Sequence, residues 1–250
     1  MKNLFLFLFL LVVFTSKAQD NRVSGLNSRQ FTKYWKVESE SPDYKVTFQG
    51  DTAEIVSPKG LTLWRKEKMS GKVTIEYDAC VVVESDGDRL SDLNCFWMAS
   101  DPQYPDNLWK REKWRSGIFL NCYSLQLYYL GYGGNHNSTT RFRRYDGDES
   151  GITNPKARPA ILKEYTDAGH LLKPNHWYHI KITNENNRVS YYIDGERLVD
   201  FRDAEPLREG WFGFRTTLSR TRITNFSYEC SSQEAAAVPL QWIGETPRQD

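Results

Sequence analysis

The stretch LKPNHWYHIKITNENNRVSYYIDGERLVDFRDAEPLREGWFGFRTTLSRTRITNFSYE, residues 172–229, decides the fold class. Trp177, Ile180 and Ile182 lead to a polar turn at 184–187, and Val189, Tyr191 and Ile193 follow it. Apolar residues recurring every second position read as strands with one buried face. Asp194-Gly195 then joins two short β-runs, and this dipeptide suits a tight hairpin because both positions adopt positive φ. Beyond Pro206-Leu207, Gly210 and Gly213 permit close backbone approach around Phe212 and Phe214, and Ile223 and Phe226 complete the pattern.

Upstream the same alternation continues. Strands are predicted at 45–48, 52–56, 62–65, 72–83, 93–98, 117–123, 125–131, 139–145, 177–184, 188–193, 196–201, 210–216 and 222–229. More than ten strands with little helical periodicity predict an all-β, two-sheet jelly-roll sandwich. Residues 146–172 form a long polar stretch, and so long a loop in a compact domain is usually functional or mobile. Residues 19–40 read as a polar lead-in, 41–230 as the sandwich, and 231–250 as a tail whose Leu240 and Trp242 dock back on it.

The N-terminus reads as an export signal. A short positive start, Met1-Lys2-Asn3, precedes 11 apolar residues from Leu4 to Phe14, and Ser16-Lys17-Ala18 supplies a small-residue cleavage site before Gln19. The run is too short for a stable anchor, which needs about 20 apolar residues, so membrane insertion is not expected. The 250 residues carry 33 Lys+Arg against 32 Asp+Glu, a net charge of +1. Removing residues 1–18 takes Lys2 and Lys17, leaving 31 against 32 and a charge of −1. A secreted or periplasmic protein without basic excess is not a phosphate-coating nucleic-acid binder. Of the four cysteines, Cys80, Cys95 and Cys122 lie in apolar β-type runs, and buried free thiols are expected there rather than disulfides or zinc ligands.

The 172–229 grammar resembles the closing strands of concanavalin A-like lectin/glucanase domains, including laminin-G-like modules. The segments SDLNCFWMASDP (91–102), RSGIFLNCYSLQLYYLGYGGNHNSTTRFRRYDG (115–147) and GWFGFRT (210–216) are similar to a secreted bacterial and fungal family, a domain of unknown function that accompanies polysaccharide-degrading enzymes. The resemblance implies the sandwich fold over about 40–230 and a carbohydrate setting, without a mechanism.

Strand alternation nominates a site. Arg141, Arg143 and Tyr145 share one face of their strand, opposite Phe142 and Arg144. Asp92, Asn94, Phe96 and Met98 share a face, and Leu127 and Tyr129 lie opposite Gln126, Tyr128, Leu130 and Tyr132. Guanidinium forks match a uronate carboxylate, and aromatic rings stack on pyranose faces. The substrate-binding candidates are Arg141, Arg143, Asn94, Arg115, Arg215, Trp97 and Asn135. The competing reading is that these arginines pair with acids on a solvated sheet face.

Three chemistries remain open. Hydrolysis needs two carboxyls across the scissile bond, but the Glu-x-Asp-x-x-Glu glucanase signature is absent, and Glu76 and Asp78 only approximate it. Elimination from a uronate needs a cation or amide at the carboxylate, a base and an acid. His136, beside the Arg/Tyr strand, is the candidate base, and Tyr145 or Tyr129 the acid. His170, His176 and His179 are weaker candidates. A non-catalytic sugar-binding module fits the aromatic content equally well. Gly131-Tyr132-Gly133-Gly134 lacks the Lys and the following helix of a phosphate loop. The acidic loops at 86–88 and 146–149 are candidate Ca²⁺ ligands; no other cofactor is indicated. The expectation is a secreted polysaccharide lyase or related glycan-cleaving enzyme for an acidic, uronate-containing polysaccharide, with a non-catalytic, lectin-like carbohydrate-binding module as the alternative.

Overall fold

The computed structural model describes residues 23–231. The expected export signal and the expected docking of Leu240 and Trp242 fall outside the described residues. The strands are β1 (Val23–Ser24), β2 (Trp35–Ser39), β3 (Lys45–Gln49), β4 (Thr52–Arg65), β5 (Met69–Ser70), β6 (Lys72–Val81) and β7 (Leu93–Ser100). They continue with β8 (Gln126–Gly133), β9 (Thr139–Asp146), β10 (Lys163–Tyr165), β11 (Tyr178–Glu185), β12 (Arg188–Ile193), β13 (Glu196–Arg202) and β14 (Glu209–Ser231).

Every pairing is antiparallel, and two long strands build two layers from one hydrogen-bonded network. The first half of β14 pairs with β7 and the second half of β4, giving a front layer β10-β9-β8-β7-β14-β4-β2. The second half of β14 pairs with β6, and the first half of β4 with β3, giving a back layer β13-β12-β11-β6-β14-β4-β3. Two runs predicted on each of β4 and β14 are thus single strands bent from one layer to the other. Register shifts between Thr217 and Ser219 on β14 mark the bend, as β-bulges do. The core between the layers takes Cys95, Trp97, Tyr128, Leu130, Phe142, Phe212 and Phe214 from the front, and Ile75, Tyr77, Ile180, Ile182, Val189 and Tyr191 from the back. This is the all-β jelly-roll sandwich.

Asp194 and Gly195 turn the predicted hairpin with φ of 51° and 84°. The stretch read as a lead-in contributes more than a linker: β2 joins the front layer, and Trp35 is buried against Phe214 and Phe226. The strand predicted at 117–123 is instead a 3₁₀ turn, Leu120–Ser124, within a segment of short helices between β7 and β8. Its apolar residues, including the buried Cys122, face inward because the segment packs flat on the front layer. The 146–172 stretch is also structured, holding two short helical turns, β10 and a third turn at Ala168–His170. Cys80, Cys95, Cys122 and Cys230 are free thiols. No described helix is long and apolar enough to cross a membrane.

Candidate functional site

The outer face of the front layer carries two adjacent rows of side chains. Residues directly opposed in an antiparallel ladder point to the same side. One row runs Glu38, Thr62, Arg215, Asn94, Gly131, Arg141, Glu164 across seven strands. The next runs Lys36, Trp64, Gly213, Phe96, Tyr129, Arg143. The first is polar; the second has three aromatic rings, Trp64, Phe96 and Tyr129, between a lysine and an arginine. Residues 101–125 fold back over one end of this face and seal it into a second core of Trp64, Phe96, Leu108, Leu127, Tyr145 and Trp211. The other end stays open as a cleft of about 360 Å³.

Seven predicted residues line that cleft: Asn94, Tyr129, Asn135, His136, Arg141, Arg143 and Arg215. Arg215 is buried, and its Nη1 donates to the Gly117 carbonyl and to Thr62 Oγ1 at 3.4 Å. Arg141 Nε donates to Glu164 at 2.6 Å, and Arg143 donates Nη1 to the Pro159 carbonyl. Each guanidinium has five N–H donors and spends only part of them on these partners. The Tyr129 hydroxyl leans over Gly131, where a Cβ would lie 2.4 Å from its oxygen. Burial, with Asp92 nearby, pushes the Tyr129 phenol up, against the opposing pull of Arg215 and Arg143, so it stays protonated.

The loop after β8 presents His136. Asn135, His136 and Asn137 have φ of 51°, 57° and 57°, a run of left-handed residues that side chains disfavour. Asn137 holds it through reciprocal bonds to Leu172, 2.9 Å to the carbonyl and 2.8 Å from the amide. Arg89 Nε donates to His136 Nδ1 at 3.5 Å. A neutral imidazole accepting at Nδ1 carries its proton on Nε2, so the ring offers a donor rather than the lone pair expected of a base.

Three predicted site residues lie elsewhere. Tyr145 does share its face with Arg141 and Arg143, but it sits beneath the 101–125 segment, fully buried among Phe96, Tyr123 and Tyr129. Its hydroxyl does not reach the cleft. Trp97 alternates to the inner face and stacks on Phe142 in the main core. Arg115 is buried and bonds Glu38 at 3.0 Å and the Leu108 carbonyl at 2.6 Å, which pins the covering segment to β2. Met98 also leaves the expected face: a bulge between Trp97 and Ser100 turns it into the main core.

Arg89, Asp92 and Glu40 line the cleft and were missed. Asp92 shares the predicted face of Asn94 but was given no role, Arg89 falls between the predicted turn at 85–88 and the strand at 93–98, and Glu40 lies at the end of the lead-in. No local pattern marks Arg89 or Glu40, because strand pairing alone brings them to the cleft. Asp92 Oδ2 accepts from Arg89 at 2.6 Å and Oδ1 from Asn94 at 3.1 Å, and the single Ser91 hydroxyl proton lies within reach of both Asp92 Oδ2, at 2.9 Å, and the Gly133 carbonyl, at 2.8 Å.

The remaining candidates act elsewhere. Glu76 and Asp78 lie on β6 in the back layer, bound to Lys181 and His179. His170 bonds Asp167 and Glu196, and His176 lies 3.6 Å from Asp194. Arg144, on the face opposite Arg141 and Arg143, pairs with the buried Asp203. Asp88 accepts the Glu84 and Ser85 amides, and Asp148 that of Ser150, so these acidic loops cap their own turns. Among the described residues, no cluster of three or more His, Cys, Asp or Glu side chains is placed to hold a metal ion.

Known structures share the architecture. The chain is similar to a protein of unknown function with galectin-like fold from Bacillus subtilis, at 15% identity and TM-score 0.66, covering 85% of this chain and 96% of that one. It is similar to the VIP36 exoplasmic/lumenal domain, bound to Ca²⁺ and Man3GlcNAc, at 8% identity and TM-score 0.57, covering 87% and 91%. The carbohydrate-binding module CBM66 from Bacillus subtilis aligns at 15% identity and TM-score 0.50, covering 78% and 94%. At these identities the likeness is one of fold. No curated protein matches the sequence. Residues 55–226 match DUF6250, a domain of unknown function, and the chain belongs to that family.

Proposed function

We propose that this protein is exported and that its cleft binds an acidic, uronate-containing glycan. The observation that carries the reading is the convergence of Arg89, Arg141, Arg143 and Arg215, each with N–H donors to spare, on one open cleft whose lining carboxylates are Glu40 and Asp92. Asp92 is already neutralised by Arg89. Guanidinium forks bind a carboxylate in two parallel bonds, and the partly buried Phe119 in the cleft lining offers a ring to a pyranose. Lectin and carbohydrate-binding structures on the same sandwich add support by analogy of fold. Two-carboxylate hydrolysis is disfavoured, because Asp92 is tied into an ion pair with Arg89 and a bond from Asn94, which leaves it unsuited to move a proton.

A second reading is elimination, favoured by Tyr129, which lines the cleft beside His136 and stays protonated. Arg89 would turn from His136 to the uronate carboxylate and free Nδ1. That nitrogen takes the C5 proton, the electron pair forms the C4–C5 double bond, the C4–O bond breaks, and Tyr129 protonates the leaving oxygen.

Affinity electrophoresis in gels containing pectic, alginate-like or glycosaminoglycan polymers, with a neutral glucan as control, tests both readings. Retardation confined to an acidic polymer, weakening with salt, is the expected result. New ultraviolet absorbance from an unsaturated uronate adds elimination. Equal migration in acidic and neutral gels overturns the acidic-glycan reading.

A further inference from the structure

Asn94 occupies the centre of the polar row, between Arg215 on β14 and Gly131 on β8. It is 6% exposed. Its Nδ2 donates to Asp92 Oδ1 at 3.1 Å, and Asp92 is held in turn by Arg89 and Ser91. A carboxylate only accepts, so this bond sets which way the amide points: nitrogen to Asp92, oxygen away from it. That oxygen is buried and has no hydrogen-bond partner. Gly131 has no side chain to fill the neighbouring position, and the Tyr129 hydroxyl occupies the space above it.

A buried amide oxygen without a partner is costly, and the cost is recovered when a donor arrives. Thr217, Thr139 and the guanidiniums that line the cleft do not reach it. We infer that the cleft requires a ligand presenting a free hydroxyl to Asn94 Oδ1 beside the anion held by the arginines. This rests on the acidic-glycan reading and narrows it: a uronic acid whose ring hydroxyl is unsubstituted fits, and a sugar lacking that donor is rejected. Sites built to hydrogen-bond a hydroxyl reject analogues lacking it, because a buried group is then left unpaired.

The test titrates the protein with methyl glucuronide and methyl galacturonide and with the monodeoxy analogues of each, followed by NMR chemical-shift changes. For wild type, one deoxy position should weaken binding by about tenfold or more. Asn94→Ala should bind the parent and that deoxy analogue equally, while Arg143→Ala should weaken both by the same factor. Parent and every deoxy analogue binding wild type alike overturns the Asn94 inference and leaves the acidic-sugar cleft standing. Failure of every uronide to bind overturns both. The wild-type comparison does not depend on the variants folding.

Discussion

The two ends of the front layer's outer face are built from the same strands and have opposite fates. On β9, Tyr145 lies buried in the second core while Arg143, two residues earlier, opens to the cleft. On β7, Phe96 is sealed and Asn94 lines the cleft floor. Alternation puts each pair on one face. The 101–125 segment decides which member is core and which is site, by covering one end only. Being outward-facing on a strand is therefore insufficient evidence for a binding role.

The strongest way to break this contrast is to release the cover. Arg115→Met leaves Glu38 without its guanidinium in a buried setting, and such a loss costs about 3–5 kcal/mol. Urea unfolding measures it; a change below about 1 kcal/mol would mean that another contact holds the segment. At the open end, Arg143→Ala should lower acidic-glycan affinity at least about tenfold, roughly 1.4 kcal/mol. Its melting temperature should stay near wild type, since surface changes are usually within about 0.5 kcal/mol. An unfolded or strongly destabilised variant would assign Arg143 to the framework.

Arg144, next along the strand, provides an internal control. It bonds Asp203, 2.7 Å away. Burial raises the Asp203 carboxyl, but bonds from Tyr128, the Glu205 amide and Arg144 outweigh it and hold the group below its ordinary value. A lowered folded value means that the stabilisation is complete above the ordinary carboxylate range near ~4 and is lost as pH falls through the folded value. Asp203→Asn should flatten that acid limb in melting curves taken across the range; an unchanged slope would place the titration elsewhere. The smallest effect is expected for Tyr145→Phe. The Tyr145 hydroxyl is buried without a partner, so its removal should change stability by less than about 0.5 kcal/mol and leave glycan binding intact. Loss of binding would return Tyr145 to the site.

Much of the site was legible because β-strand periodicity is a local property. Arg141 and Arg143 against Phe142, and Tyr129 against Tyr128 and Leu130, follow from counting by two. Where counting failed, a non-local cause intervened: a bulge turned Met98 inward, and a packed cover buried Tyr145. Trp97 was misplaced although the same count sends it inward, since its type suggested a sugar platform. Arg89 and Glu40 had no signal, because their meeting depends on which strands are neighbours, whereas Asp92 was already on the predicted face of Asn94.

By itself the sequence determined the all-β class, the Asp194-Gly195 hairpin, the free thiols of Cys80, Cys95 and Cys122, and the faces of β8 and β9. These depend on φ preferences, side-chain polarity and a period of two, all written within a few residues. Only the tertiary structure decided that β4 and β14 each cross between layers, that Arg115 is a buried clamp, and that Asn94, in the cleft lining, holds a buried amide oxygen without a partner. Those outcomes depend on residues far apart in the chain, and on which of two equivalent stretches of one sheet face another segment happens to cover.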